Sequence, residues 1–292
     1  MASTQILQRR IKSVKSTRQI TKAMELVSAS KMRRATDAAE SGRNYRQAAH
    51  QLLSRLATVS AVKEHPLFVQ RPVKTRLYIA ITSDRALAGA YNSNIGRMLV
   101  KSAIADKAAG IKVQAIVVGS RGVSFVRRVE GIELIAAYPS FGDTPSANDI
   151  RPLLTSAVEL YADKKVDDVK LLYTEHVSSI SQVATSLSLL PARLETQDPS
   201  KPVEALDNFT FEPSVTEVLD NVTERLLEVQ LWQAVLESTA SEHSMRMLSM
   251  KNATDNANEL IGDLTLAFNT ARQANITQEI AEVTGGAEAM KE

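Results

Sequence analysis

Cysteine is absent from the chain. That excludes disulfides, a thiol nucleophile and any zinc or iron–sulfur site built on thiolates, and it fits a reducing compartment. Aromatic residues make up only 4% and glycine only 11 of 292 positions. An aromatic-poor chain rich in alanine and leucine favours helix, because small and straight side chains lose little freedom there. No apolar run approaches the roughly 20 residues that a membrane-spanning helix needs, so membrane association has to go through a partner. Charge of either sign is nearly balanced at +2, which gives little argument for nucleic acid or lipid from charge alone. What is present is a globular share of apolar residues, 44%, in a length that suits one large domain or two ordinary ones.

Proline is lacking from both ends. All nine prolines fall between Pro66 and Pro213, and proline is the residue a helix interior tolerates least. The flanks it avoids carry helical periodicity: Leu7, Ile11 and Val14, then Ile20, Met24 and Val27, then Tyr45, Ala49, Leu52, Leu56 and Val59. In the second flank Val222, Leu226, Val229, Trp232 and Leu236 begin a stripe. It continues through His243, Met247, Met250, Ala257, Leu260 and Leu264 to Ile276, Ile280 and Val283. Narrow stripes of this kind suit a helix pair. As single helices, residues 3–60 would span roughly 85 Å and residues 214–284 roughly 105 Å, which predicts an antiparallel pairing of the two ends. Small residues, Ala35 with Ala39 and Ala267 with Ala271 and Ala274, would let the backbones approach. Breaks at Gly42 and Gly262 into shorter bundled helices are the alternative.

The middle, residues 74–211, reads as an α/β layer. Strands are expected at Leu77–Thr82, Val113–Gly119, Ile132–Ala137, Val169–Thr174 and Val183–Leu190, with helices at 92–108, 121–129 and 147–163. Ser146 and Asp149 suit a capping box for the last helix. Alternating strands and helices predict a largely parallel sheet, with the final strand as an antiparallel edge. The segment Glu195–Pro213 reads as a linker.

A parallel sheet invites a nucleotide, but the chain has no G-x-x-x-x-G-K-[ST] loop. Gly119-Ser120-Arg121-Gly122 lacks the three-glycine dinucleotide spacing and reads as a tight strand-to-helix turn. His50, His65, His176 and His243 have no metal-ligand spacing, and no nucleophile constellation is present, so neither a cofactor nor a catalytic residue is expected. The charge anomaly is the first helix. Nine Lys or Arg lie between Arg9 and Arg34 against the single acid Glu25, a solvated face or a surface for a polyanion. Residues 1–24 contain no acid and so resemble a transit peptide, but the helical pattern continues past residue 50 without a cleavage-like break.

Three segments resemble the γ subunits of F-type ATP synthases. Ile20-Thr21-Lys22-Ala23-Met24-Glu25-Leu26-Val27-Ser28-Ala29-Ser30-Lys31-Met32 resembles that family's N-terminal signature helix. Thr82-Ser83-Asp84-Arg85-Ala86-Leu87-Ala88-Gly89-Ala90-Tyr91-Asn92 is similar to its S-D-R-G-L-C-G-G-Y-N turn. Ala271-Arg272-Gln273-Ala274-Asn275-Ile276-Thr277-Gln278-Glu279-Ile280 is the most specific match, and Ala253-Thr254-Asp255-Asn256-Ala257 lies upstream of it. Ala86 and Ala90 stand where the family often has glycine, which would strain any position needing φ > 0. The chloroplast-type cysteine insert is absent.

The resemblance implies a long antiparallel two-helix coiled coil, residues 1–65 with 212–292, and an inserted Rossmann-like α/β domain at 74–211 as a foot. It implies a non-catalytic central-stalk rotor of the proton-translocating enzyme, with three α and three β subunits, the ε subunit and the c-ring as partners. Arg272, Gln273, Thr277 and Glu279 would contact β-subunit loops. Arg9, Arg10, Lys22 and Met24 would lie near an acidic β loop, and Ile280, Val283 and Met290 would form an apolar bearing tip. The length and the expected lack of a presequence suggest a bacterial chain, peripheral on the cytoplasmic face of the plasma membrane. Two other classes stand beside this one: a basic coiled coil that binds nucleic acid, and a nucleotide-using enzyme built on the middle sheet.

Overall fold

The run Leu77-Tyr78-Ile79-Ala80-Ile81 has no polar alternation, the pattern of a parallel strand buried on both faces. It forms the centre of the sheet in a computed structural model that describes residues 4–56, 65–192 and 215–290. The strands are β1 (Thr75–Ile81), β2 (Lys112–Val118), β3 (Ile132–Tyr138), β4 (Asp168–His176) and β5 (Gln182–Leu190). The helices are α1 (Thr4–Leu56), α2 (Tyr91–Ala108), α3 (Ser120–Val126), α4 (Ala147–Ala162) and α5 (Val215–Ala289). Contacts divide the chain into two compact units, Met1–Ser28 with Met247–Glu292, and Ala29–Arg246.

The larger unit holds the sheet, in the order β3-β2-β1-β4-β5. The first four strands run parallel, and β5 closes the edge antiparallel to β4, as the short Glu175–Gln182 connection requires. One face packs Leu77, Ile79, Ile81 and Leu171 against Ile150, Leu153 and Ala157 of α4 and Leu227, Leu231 and Val235 of α5. The other packs Tyr78, Ala80, Ala115 and Val117 against Ile95 and Leu99 of α2 and Val126 of α3. The cap foreseen for α4 is present: the Asp149 carboxylate accepts from the Ser146 N–H at 2.8 Å and its Oγ–H at 2.7 Å. The helix expected over 121–129 ends at Val126, and the residues beyond it turn.

Residues 226–246 of α5 do not show the narrow stripe expected of them. Leu226, Leu227, Glu228, Val229, Leu231, Gln233, Ala234, Val235 and Leu236 are all buried, so this stretch is enclosed on several faces. The reason is that α5 packs on the sheet as well as on α1. Ala35 and Ala39 of α1 are buried as expected, and α1 is unbroken at Gly42. A Cβ at Gly42 would sit 3.2 Å from Gln233 Oε1 and 3.4 Å from the Trp232 ring. Glycine there serves close approach, not a helix break. Gly262 likewise lies within continuous α5.

In the smaller unit α1 and α5 meet along a seam of seven-residue spacing. Leu7 and Thr21 are buried and Val14 half-buried on α1, facing Met250, Thr254, Ala257 and Ile261 on α5. Thr254 Oγ1 lies 2.8 Å from Thr21 Oγ1, and Arg18 donates to Asn258 Oδ1 at 3.3 Å. Partner numbers fall on one helix as they rise on the other, so the two run oppositely. This seam corrects the expected stripes. Ile20 and Val27 are 60% and 53% exposed, because the repeat from Leu7 and Val14 lands on Thr21 and then on Ser28, the last α1 residue of this unit. Leu260 is exposed for the same reason, displaced by Ile261. Ala267 and Ala274 are exposed and Ala271 half-buried, so they do not form the buried close approach expected of them. The side chains of Tyr45, Ala49, Leu52 and Leu56, all of Val59 and the linker Glu195–Pro213 lie outside the described residues.

Candidate functional site

In an open parallel sheet a ligand settles beyond the carboxyl ends of the strands, where strand order reverses. Here that place is between β1 and β4, and α5 fills it. Ser238 is fully buried there, with its Oγ 2.8 Å from the Tyr91 hydroxyl and accepting from the Thr174 N–H at 3.3 Å. Ser241 Oγ donates to the Thr174 carbonyl at 3.1 Å. Beside it, after β2, the Gly119 turn has φ +91°, and a Cβ there would lie 2.4 Å from the Thr82 carbonyl oxygen, so only glycine fits. The amide of Ser120, where a phosphate cradle would begin, donates instead to Asp84 Oδ1 at 2.7 Å. Asp84 Oδ2 accepts from the Ser140 N–H at 3.0 Å and its Oγ–H at 2.7 Å. The Ser140 hydroxyl, helped by these amides, holds the Asp84 carboxyl below the usual carboxylate range.

The Thr82–Asn92 turn is therefore a clasp across three strand ends. Asn92 completes it, accepting from the Ser83 N–H at 3.0 Å and donating to Ser83 Oγ at 2.8 Å. Positive φ in this turn falls on Leu87 (67°) and Gly89 (53°), not on Ala86 or Ala90. The two alanines carry no backbone strain.

Two further polar clusters belong to the larger unit. Arg76 pairs with Asp106 and Asp168, and Tyr78 donates to Asp106 at 2.6 Å. Burial and the bond to Asp106 push the Tyr78 hydroxyl up to about 12. Elsewhere Asp143, in the loop after β3, is 2.7 Å from Lys31 Nζ of α1 and 3.0 Å from His243 Nε2 of α5. Burial pushes His243 down to about 4; the Arg246 and Lys31 charges act with it and Asp143 against it. The imidazole is therefore neutral at pH 7. Its Nδ1 lies 3.3 Å from the Arg246 guanidinium, which can only donate, so the proton sits on Nε2 and points to Asp143. Arg246 in turn bonds Glu242 at 2.6 Å. Among the described residues no group of three His, Asp or Glu could hold a metal.

The residues marked from the sequence all lie in the smaller unit. Arg272, Gln273, Thr277 and Glu279 are exposed, and Thr277 Oγ1 donates to the Gln273 carbonyl at 2.9 Å. No protein group covers the end of α5 among the described residues: Ile276, Ile280, Val283 and Met290 are 48%, 59%, 72% and 89% exposed. On α1, Arg9 and Arg10 are exposed, Lys22 is exposed and ion-paired to Glu25 at 3.0 Å, and Met24 is half-buried. At 1.5 Å per residue Arg10 and Lys22 are about 18 Å apart along the helix, so they form two patches. Sequence reasoning missed the outward apolar residues Ile6, Ile20, Leu26 and Val27 on α1 and Leu266 on α5. The seven-residue repeat from Leu7 was the signal that could have found those on α1. Leu7 also lines a shallow groove with Asp263, Leu266, Thr270 and Ala271.

Residues 3–290 match the family described as ATP synthase. The chain is 41% identical to the ATP synthase gamma chain of Desulfitobacterium hafniense, over 100% of both chains. It is 39% identical to that of Stenotrophomonas maltophilia, over 99% of this chain and 100% of the relative. Among solved structures it is similar to a chain of the Tetrahymena thermophila mitochondrial ATP synthase central stalk and c-ring. That match has a TM-score of 0.61 and 25% identity, over 80% of this chain and 99% of the other. A chain of the Euglena gracilis mitochondrial ATP synthase matches with a TM-score of 0.67 and 17% identity, over 98% and 94%.

Proposed function

The chain belongs to the ATP synthase gamma-chain family, and from that premise we propose how its residues do a rotor's work. Members of the family are non-catalytic central-stalk subunits, and this chain couples turning of the c-ring to conformational change in the catalytic β subunits. Its partners are the α and β subunits, ε and the c-ring. The nucleic-acid reading of the basic helix gains no support from these relatives.

The shaft is an antiparallel coiled coil of residues 1–65 and 212–292, supported by the opposed Thr21–Thr254 and Arg18–Asn258 pairs. The foot is a Rossmann-like domain at 74–211, supported by the parallel β3-β2-β1-β4 order. It binds no nucleotide because Asp84 and Ser238 fill the places a nucleotide would take. The chain works on the cytoplasmic face of a bacterial plasma membrane; none of its described helices is long and apolar enough to cross one, so it reaches the membrane through the c-ring.

One observation carries the contact sites: α5 from Arg272 to Ala287 is exposed along every face. An amphipathic helix left bare in this way needs a sleeve. Ile280, Val283 and Met290 turn against an apolar bearing that makes few directional bonds. Arg272, Gln273, Thr277 and Glu279 bond polar β loops, and Arg9, Arg10, Lys22 and Met24 face an acidic β loop. Charge-assisted bonds of this kind are worth roughly 1.5–3 kcal/mol each, enough to favour one rotational state without locking it. Arg272→Ala with Gln273→Ala is expected to leave the complex assembled and to lower ATP turnover sharply, while Lys251→Ala does little. Equal, near-wild-type turnover in both assembled variants refutes these roles.

A further inference from the structure

Torque reaching the sheet has to pass into both long helices, and the two are held unequally. α5 is fixed by its apolar faces and by Ser238, Ser241 and Ser244, which bond Thr174, Gln182 and Ser179 of the β4–β5 hairpin. Among the described side chains of this unit, α1 buries Ala35, Ala39 and Gly42. Residues this small give close approach but no interlocking knobs, so they offer little resistance to sliding or rolling.

The loop after β3 supplies what these small residues lack. Asp143 offers one carboxylate oxygen to Lys31 of α1 at 2.7 Å and the other to His243 of α5 at 3.0 Å. His243 is braced from behind by Arg246, and Arg246 by Glu242. The chain Glu242–Arg246–His243–Asp143–Lys31 thus joins α5, the sheet's loop and α1, and every described residue in it belongs to the larger unit. A single carboxylate shared between two helices fixes their relative height and rotation, because neither can shift without breaking a charge-assisted bond.

We propose that Asp143 is a torque pin, a positioning residue that locks α1 and α5 to the sheet-bearing domain so that the three turn as one body. This rests on the rotor function stated above. The pin makes no contact with nucleotide and adds nothing to catalysis at the β sites. It sets how stiffly rotation of the domain is delivered to the shaft.

The test is single-molecule rotation of the assembled complex, with α3β3 fixed and a probe on the sheet-bearing domain. Asp143→Ala is expected to broaden the angular distribution at each dwell, while unloaded ATP hydrolysis stays near wild type. Lys31→Met, which spares the His243 bond, should broaden it in the same sense, and Asp143→Asn, which keeps an acceptor for His243, should do so less. Leu99→Ala, a cavity in the core under α2, lowers stability without touching the pin and should leave the distribution unchanged. Distributions as narrow as wild type in both Asp143→Ala and Lys31→Met overturn the pin, as does equal broadening by Leu99→Ala. If the wild-type chain itself does not rotate, the rotor function fails and takes the pin with it.

Discussion

Cutting the chain after residue 211 should remove one wall of the sheet domain. Leu227, Leu231 and Val235 of α5 are each no more than 2% exposed and lie in the core with Ile79 and Leu171. Burying a side chain of this size is worth about 1.5–3 kcal/mol, so the three together contribute roughly 5–9 kcal/mol, an upper estimate given a partly compact unfolded chain. The whole stability of a domain is typically about 5–15 kcal/mol. A fragment of residues 65–211 therefore loses a share comparable to its total, and the Ser238 and Ser241 bonds to Thr174 as well. We expect that fragment to show helix and strand signal by circular dichroism but no cooperative urea transition. Residues 65–246 should unfold cooperatively, with Trp232 fluorescence as a second probe, and a peptide of residues 215–246 added in trans should restore the transition to the shorter fragment. A cooperative transition of 65–211 at the midpoint of 65–246 would show that α5 is not a wall of this core.

Gly119→Ala should destabilise the sheet domain by about 1–3 kcal/mol from backbone strain alone, read as a lower urea midpoint, because φ is +91° and the Thr82 carbonyl blocks a Cβ. Asp84, whose folded carboxyl is held low, contributes stability that is complete above its unfolded value of about 3.9 and is lost as pH falls through the lower folded value. The difference in urea midpoint between wild type and Asp84→Asn should thus be largest near pH 6 and shrink below pH 4; a constant difference counts against the clasp. Gly42→Leu should shift the emission of Trp232, the single tryptophan, because the new side chain enters the space between α1 and the indole; an unchanged spectrum argues against that approach.

The order of the middle elements was legible because parallel strands announce themselves as apolar runs and the turns between them carry glycine and proline. Each expected strand lies within about two residues of its observed ends. The expected helix pair was legible from the distribution of proline. Which face of α1 turns inward was not, because hydrophobicity points the wrong way: Ile20, Leu26 and Val27 face out while Thr21 and Ser28 face in. A buried hydroxyl is affordable only with a partner, and Thr254, 233 residues away, cannot be seen from a local window. The same holds for the Asp143 cluster, whose members come from three distant segments. The Asp84 clasp was visible as a motif, but its carboxylate's bonds to Ser120 and Ser140 emerge only when the strand ends are brought together.

That inversion at the seam has a mechanical reading. A helix pair stabilised by itself would bury Ile20 and Val27 and leave threonine outside, gaining the larger transfer energy. This one buries Thr21, Ser28, Thr254 and Ala257 beside Leu7 and Met250, and leaves Ile20, Leu26 and Val27 outside. Its two helices share few large buried side chains, and the sleeve proposed above would then help to keep them aligned. The sheet domain shows the opposite economy, with α5 enclosed by apolar contacts and buried serine bonds. A rotor of the proposed kind would take its stiffness from the fold in the larger unit and from its partners in the smaller one.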